Sequence, residues 1–312
     1  MATHDTTAGA QPAPIRLRAE GRRWGEVAVK GLLALCALVS VATTVGIIVA
    51  LLEPSIAFFR EISIVDFFSG ERWAPLFNPP SFGVQPLLVG TFMVTVWACV
   101  VALPFGLGAA VYLSEYAPPR VRRTLKPALE VLAGVPTVVF GFFALTFFTP
   151  LLDDLGIEVG IFNILSAGLV MGVMLIPTVA SISEDAMTAV PQELRDGAYG
   201  LGASRLQVST RIVIPAAVSG IVASYVLAIS RAVGETMIVL IAAGGLAQVT
   251  FDPREPAQTM TAFIGATGLG DVPTGSVEYK TIFAVGLTLF VITFAMNMLS
   301  IRLVRRFREI YE

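Results

Sequence analysis

The sequence predicts an all-α, polytopic membrane protein with six transmembrane helices, and three observations carry that prediction. The 312-residue chain is 55% apolar and only 14% charged, where a typical soluble domain carries about 25% charged residues. Its apolar residues gather into six long runs, at about 27–52, 86–113, 128–150, 163–182, 217–245 and 281–303, each near or above the roughly 20 residues that a spanning helix needs. Charged or proline-rich breaks separate the runs. Segments this apolar are read as helices because a helix satisfies its own backbone polar groups where no water reaches.

The elements follow in order. Residues 1–14 are rich in Thr, Ala, Gly and Pro, a composition that suits disorder, and 1–26 as a whole is read as an N-terminal tail. Arg16, Arg18, Arg22, Arg23 and Lys30 lead into the first run. That run is too long for a signal-peptide core and no small-x-small cleavage site closes it, so it is read as a retained helix. In the second run Gly106 and Gly108 follow Pro104, and in the third Gly134 precedes Pro136; each group suits either a kink or close packing. Gly168 and Gly172 give the fourth run a small-xxx-small face that lets a neighbouring helix approach. The stretch Ala257 to Gly270 is modestly apolar and glycine-rich, as expected of a short interfacial or re-entrant piece. The six runs together define a transmembrane domain at 27–304, and 305–312 is a second tail.

Lys and Arg counts give the orientation. Sixteen of these residues fall in the two tails and in the 114–127 and 183–216 loops, and four (Arg60, Arg72, Arg254 and Lys280) in the other three loops. Both termini and the 183–216 loop are therefore expected in the cytoplasm. The opposite loops carry eleven acids, which is read as the result of positive-inside sorting, with the alternative that bulk attraction of anions is not this chain's task. Cys36 and Cys99 both lie in apolar runs and are expected to pack as small hydrophobes. His4, the only histidine, lies in the tail, which excludes a histidine-based relay or metal set within the spans. No Gly-x-x-x-x-Gly-Lys-Ser/Thr phosphate loop occurs, so the chain is expected to bind no cofactor and to hydrolyse no ATP by that route.

Between the fourth and fifth runs, 184–216 is longer than a connector needs. Pro191 is placed to start a short helix, continued by Gln192, Glu193 and Leu194. Gly197, Gly200 and Gly202 weaken that helix in isolation, so it needs a partner surface to hold its shape, and Gly202 is placed to end it. Pro215 marks the expected start of the next membrane helix. The pattern Asp196-Gly197-Ala198, then Gly202, then Ile212-Val213-Ile214-Pro215 resembles the coupling loop of permease subunits in ATP-binding-cassette importers. Further stretches resemble phosphate-importer permeases: Tyr112-Leu113-Ser114-Glu115-Tyr116-Ala117-Pro118, Leu132 to Phe143, Ser183-Glu184-Asp185-Ala186 through Val190-Pro191, and Arg231-Ala232-Val233-Gly234-Glu235-Thr236-Met237. Together these cover the chain from about Trp24 onward. The long loop before the second run and the ending Arg-Arg-Phe-Arg-Glu are similar to the PstC-type rather than the PstA-type subunit.

The resemblance implies a MetI-like importer permease fold in a bacterial inner membrane. It implies a non-catalytic subunit that forms the phosphate path with a PstA-type sister permease. It also implies two PstB-type ATPase subunits, which hydrolyse ATP with Mg, and an external PstS-type phosphate-binding protein; nucleic acid is not expected as a partner. Glu193, Leu194, Asp196, Gly197, Ala198, Gly202 and Pro215 are the expected coupling residues. Asp196-Gly197-Ala198 departs from the family's usual Glu-Ala-Ala. Asp keeps the charge, and Gly loosens the helix by about 1 kcal/mol relative to Ala.

Arg231 and Glu235 are the charged residues read as lying well inside a run. Four apart, they are expected to share one helix face, and a charge at the helix centre costs about 2.5–3.5 kcal/mol on insertion scales. Three readings stand: a self-neutralising pair, a path where Arg231 meets the passing anion, or partners for charges on another subunit. The resemblance favours the path. A guanidinium offers bidentate donors to phosphate, and a lone Arg beside a Glu makes a site weak enough to release its ion. The rival classes are a permease for molybdate or sulfate, an ATP-independent secondary transporter and an intramembrane enzyme. The second would show an internal repeat and the third a nucleophile beside its base; neither is evident.

Overall fold

The computed structural model describes residues 24–307. The expectations for the first 23 residues, with His4 and four of the leading arginines, and for 308–312 concern positions outside them. Among the described residues five helices are long and apolar enough to span a membrane, and a sixth span is formed if one bent pair is counted as a unit.

The chain divides after Val49 into two units. The first consists, in its described part, of helix α1 (Trp24–Glu61) as far as Val49. Its apolar residues are exposed, including Leu32, Leu33, Leu38 and Val41. Cys36 is exposed with them, so it does not pack in a core as expected; in lipid or against another subunit its small apolar surface is equally at home.

The second unit begins within α1 and continues through α2 (Ile64–Ser69), the two-residue strands β1 (Trp73–Ala74) and β2 (Ser81–Phe82), and α3 (Gln85–Val111). The strands pair antiparallel, Trp73 with Phe82 and Ala74 with Ser81. They sit on an aromatic cluster in which Trp73 meets Phe263 edge-on at 4.9 Å and Phe58 meets Phe67 at 5.7 Å, the edge-to-face arrangement that ring quadrupoles favour. Next come α4 (Pro119–Ala133), α5 (Thr137–Phe143), α6 (Thr149–Asp154) and α7 (Ile164–Thr188). Then follow α8 (Gln192–Gly200), α9 (Arg205–Val208), α10 (Ile214–Ala216), α11 (Val218–Val233), α12 (Met260–Gly268) and α13 (Val277–Phe307). Wide π turns occupy Tyr112–Tyr116, Ala144–Phe148, Ser209–Val213 and Val239–Ala243.

The core forms where α3 and α7 cross. A Cβ added at Gly168 would stand 2.6 Å from the Cβ of Trp97, and one at Gly172 would stand 2.7 Å from the carbonyl oxygen of Ala98, so the expected small-residue face is what lets these helices touch. Gly106 belongs to the same contact, its missing Cβ falling 2.6 Å from that of Val179, while α3 runs on unbroken past Pro104. Around this crossing Val94, Ala98, Met171, Met174, Ile238 and Ala242 are buried together. α7 begins at a built cap: Asn163 accepts from the N–H of Ser166, and Thr149 donates to the Ser166 hydroxyl.

Three expected boundaries differ. The third span starts at Thr137 rather than near 128, because Gly134 and Pro136 end α4 and begin a new helix. α4 itself is amphipathic and lies outside that span. Pro215 does not open the fifth span; it sits within a helical stretch, Arg205–Ala216, that bends by 70° into α11. The run 217–245 is not one helix either, for α11 stops at Val233 and helical turns resume only at Met237. Gly244 then ends these turns at φ +95°, and the expected short piece after 257 contains α12.

Candidate functional site

The segment from Pro191 to Ala217 forms one end of the bundle. Pro191 precedes α8 in an extended conformation, Glu193 lies in its first turn where a negative charge meets the positive helix end, and Gln192 donates to Asp196 at 3.0 Å. The helix ends at Leu201, and Gly202 turns the chain at φ +82°, a conformation that glycine adopts without strain. Ser204 and Gln207 then form a capping box that starts α9.

Ala198 is buried with Met187, Val190, Val208, Val213 and Ala110. Glu193, Leu194, Asp196 and Gly197 point the other way and are exposed, as are Tyr199 and Leu201, the latter 91% exposed. Pro215 is exposed on α10. The segment is thus a short amphipathic helix that seats one face on the bundle and presents acids and large apolar side chains on the other.

Arg195 is the residue that residue-type reasoning missed. Although charged, it is 8% exposed. Its guanidinium donates to the carbonyls of Val190 at 2.6 Å and Met187 at 2.8 Å, and to the carboxylate of Glu115 at 3.1 Å. Ser114 donates to the same carboxylate oxygen at 2.9 Å. Arg195 enters a reading of the sequence only as one of the loop's three cations, and 80 residues separate it from Glu115; a charged position between two exposed acids was the available signal.

A second buried charge lies close by. Glu184 on α7 is fully buried and ion-paired to Arg122 and Lys126 of α4, with Lys126 at 3.0 Å; Lys126 also reaches Asp185 at 3.1 Å. The hydrogen bond to Glu184, helped by Asp185, raises the Lys126 ammonium above its ordinary value of 10.5. At the far end of the bundle Arg254 clasps Asp252, holding that carboxyl down at about 2.

The expected Arg231–Glu235 pair is not a pair. α11 ends between them, with Gly234 as its cap, so they share no helix face, and among the described residues no ion pair joins them. Glu235 is buried and its carboxylate accepts from the backbone N–H groups of Met237 at 2.9 Å and Ile238 at 3.4 Å. It caps the next helical turn, which removes the self-neutralising reading. Its carbonyl accepts from Thr261 of α12 at 2.6 Å. Arg231, in the last turn of α11, is exposed and donates to the Thr178 hydroxyl of α7 at 3.2 Å. A guanidinium held on a neutral hydroxyl keeps its charge and most of its donors for something else.

The sequence matches the family described as binding-protein-dependent transport system inner membrane component over residues 102–309. It is 33% identical over 282 residues to a probable ABC transporter permease protein, YqgH, of Bacillus subtilis, covering 90% of this chain and 91% of that one. It is 32% identical over 251 residues to the phosphate transport system permease protein PstC of Mesorhizobium japonicum, covering 73% and 74%. A bacterial alginate ABC transporter, solved in complex with an alginate pentasaccharide-bound periplasmic protein, superposes with a TM-score of 0.63 at 17% identity, covering 92% of this chain and 98% of that one.

Proposed function

The chain belongs to the binding-protein-dependent transport system inner membrane component family, and we propose that it is the PstC-type permease subunit of an ATP-driven phosphate importer. One observation carries the substrate: the one-third identity to a phosphate permease over about three quarters of both chains. The membrane path is shared with a PstA-type sister permease, since Arg231 has an open face that this chain does not fill. The exposed face of α8, with Glu193, Leu194, Asp196 and Gly197 and the apolar Tyr199 and Leu201, docks on one of two PstB-type ATPases. ATP and Mg belong to that partner. The opposite face receives a PstS-type binding protein, and both termini lie in the cytoplasm.

In this reading Arg231 is the passing anion's contact and Glu235 is a shaping residue. The break at Gly234–Thr236 brings the end of one helix and the start of another to the same depth, an arrangement by which transporters expose backbone dipoles along a path. Glu235 occupies the newly formed helix start with its own carboxylate, so the charge left facing the path is the arginine. Phosphate, with one to two negative charges, is drawn to it, and a single guanidinium binds weakly enough to let go.

The test is uptake by the assembled complex with Arg231→Gln, which keeps a donor for Thr178 and removes the charge. Uptake is expected to fall below a tenth of wild type with the complex still assembling. Wild-type uptake by that variant would remove Arg231 from the path.

A further inference from the structure

We infer that Arg195 is the positioning residue through which movement of the coupling helix reaches the membrane helices, with Glu115 as its counterpart. The inference rests on the reading of 192–217 as the segment that meets the ATPase. Arg195 lies on the buried side of α8, directly opposite the exposed docking face. Its three bonds go to two different places. Met187 lies in the last turn of α7 and Val190 just beyond its end, and Glu115 belongs to the π turn that ends α3. α3 and α7 are the two helices whose glycine-mediated crossing forms the core. One side chain therefore joins α8 to both halves of that crossing.

The turn is gripped a second time. The guanidinium of Arg205, on α9, stands 5.7 Å from the centre of the Tyr116 ring, within reach of a cation–π attraction. Tyr116 is the neighbour of Glu115. The two helices on either side of the Gly202 turn thus each hold the same π turn, Tyr112–Tyr116, one by an ion pair and one by a ring. A rigid push on α8 and α9 has to move that turn, and with it the end of α3. Apolar seating at Ala198 would let the helix slide; a buried, multiply bonded charge does not, because leaving its partners strands them in a low-dielectric site.

The experiment uses proteoliposomes holding the complete complex with its binding protein, in which phosphate uptake and ATP hydrolysis are measured together. Glu115→Gln removes the ion pair and leaves both carbonyl bonds of Arg195 in place. Arg195→Met removes all three bonds and keeps the side-chain stem. In both, phosphate moved per ATP is expected to fall fivefold or more with the ATPase still co-purifying, and Arg195→Lys, which keeps a charged donor at this position, is expected to retain part of the ratio that Arg195→Met loses. If Arg195→Met does not assemble, Glu115→Gln alone decides. A working wild type whose Glu115→Gln variant keeps the wild-type ratio overturns the coupling role alone, whereas a wild-type complex that moves no phosphate overturns the functional reading as well.

Discussion

Glu184 shows what a single charge does in this chain. It is wholly buried, yet its two partners, Arg122 and Lys126, are 38% and 33% exposed. Removing Glu184 leaves two cations that water can reach, whereas removing both cations leaves a carboxylate with no counter-charge. The double variant Arg122→Ala with Lys126→Ala is therefore expected to destabilise the detergent-purified chain by about 3–5 kcal/mol. Glu184→Gln should cost clearly less, and thermal unfolding of both checks the order. The pH dependence has a sign. Lys126 is raised in the folded chain, so its contribution is present below the ordinary lysine value and is lost only as pH rises through the higher, folded one. Across neutral pH the tie of α4 to α7 should not weaken.

Among the elements, α8 carries glycines that weaken it in isolation. Gly197 sits mid-helix with open space where a Cβ would be, so Gly197→Ala is expected to firm α8 by about 1 kcal/mol. Gly202 also has open space but stands at φ +82°, so Gly202→Ala is expected to cost about 1–2 kcal/mol. Slower and faster amide exchange over 192–203, respectively, reads both. The helix and its end at Gly202 were legible in the sequence because Pro191 and Gly202 act locally. The crossing of α3 and α7 was foreshadowed by Gly168 and Gly172 for the same reason. What hydropathy did not show is that 217–245 is interrupted. Gly234, Glu235 and Thr236 lie between strongly apolar stretches, and an average over 20 residues passes over them. Equally hidden was the separation of α4 from the third span, since Ala128, Leu129, Val131, Leu132 and Ala133 are apolar and extend the run back into α4. Arg195 and Glu115 were illegible as a pair because nothing in a single sequence relates positions 80 residues apart. The motif named the residues expected to couple; which of them rest on the bundle and which face outward required the fold.

At the scale of the whole molecule, the chain has the parts that the proposed permease role asks of it. It has spans, a broken helix that ends in the exposed Arg231, and a short amphipathic helix, α8, tied to the bundle by Arg195. On the proposed reading a separate ATPase supplies the energy, and the family to which the chain belongs is that of binding-protein-dependent transport. The measurement that tests this most directly is phosphate accumulation by proteoliposomes containing this chain, its sister permease, the ATPase and the loaded binding protein. The account predicts uptake that stops when ATP or the ATPase is left out and that prefers phosphate over molybdate and sulfate. Accumulation that persists without the ATPase, or a preference for another oxyanion, would contradict it.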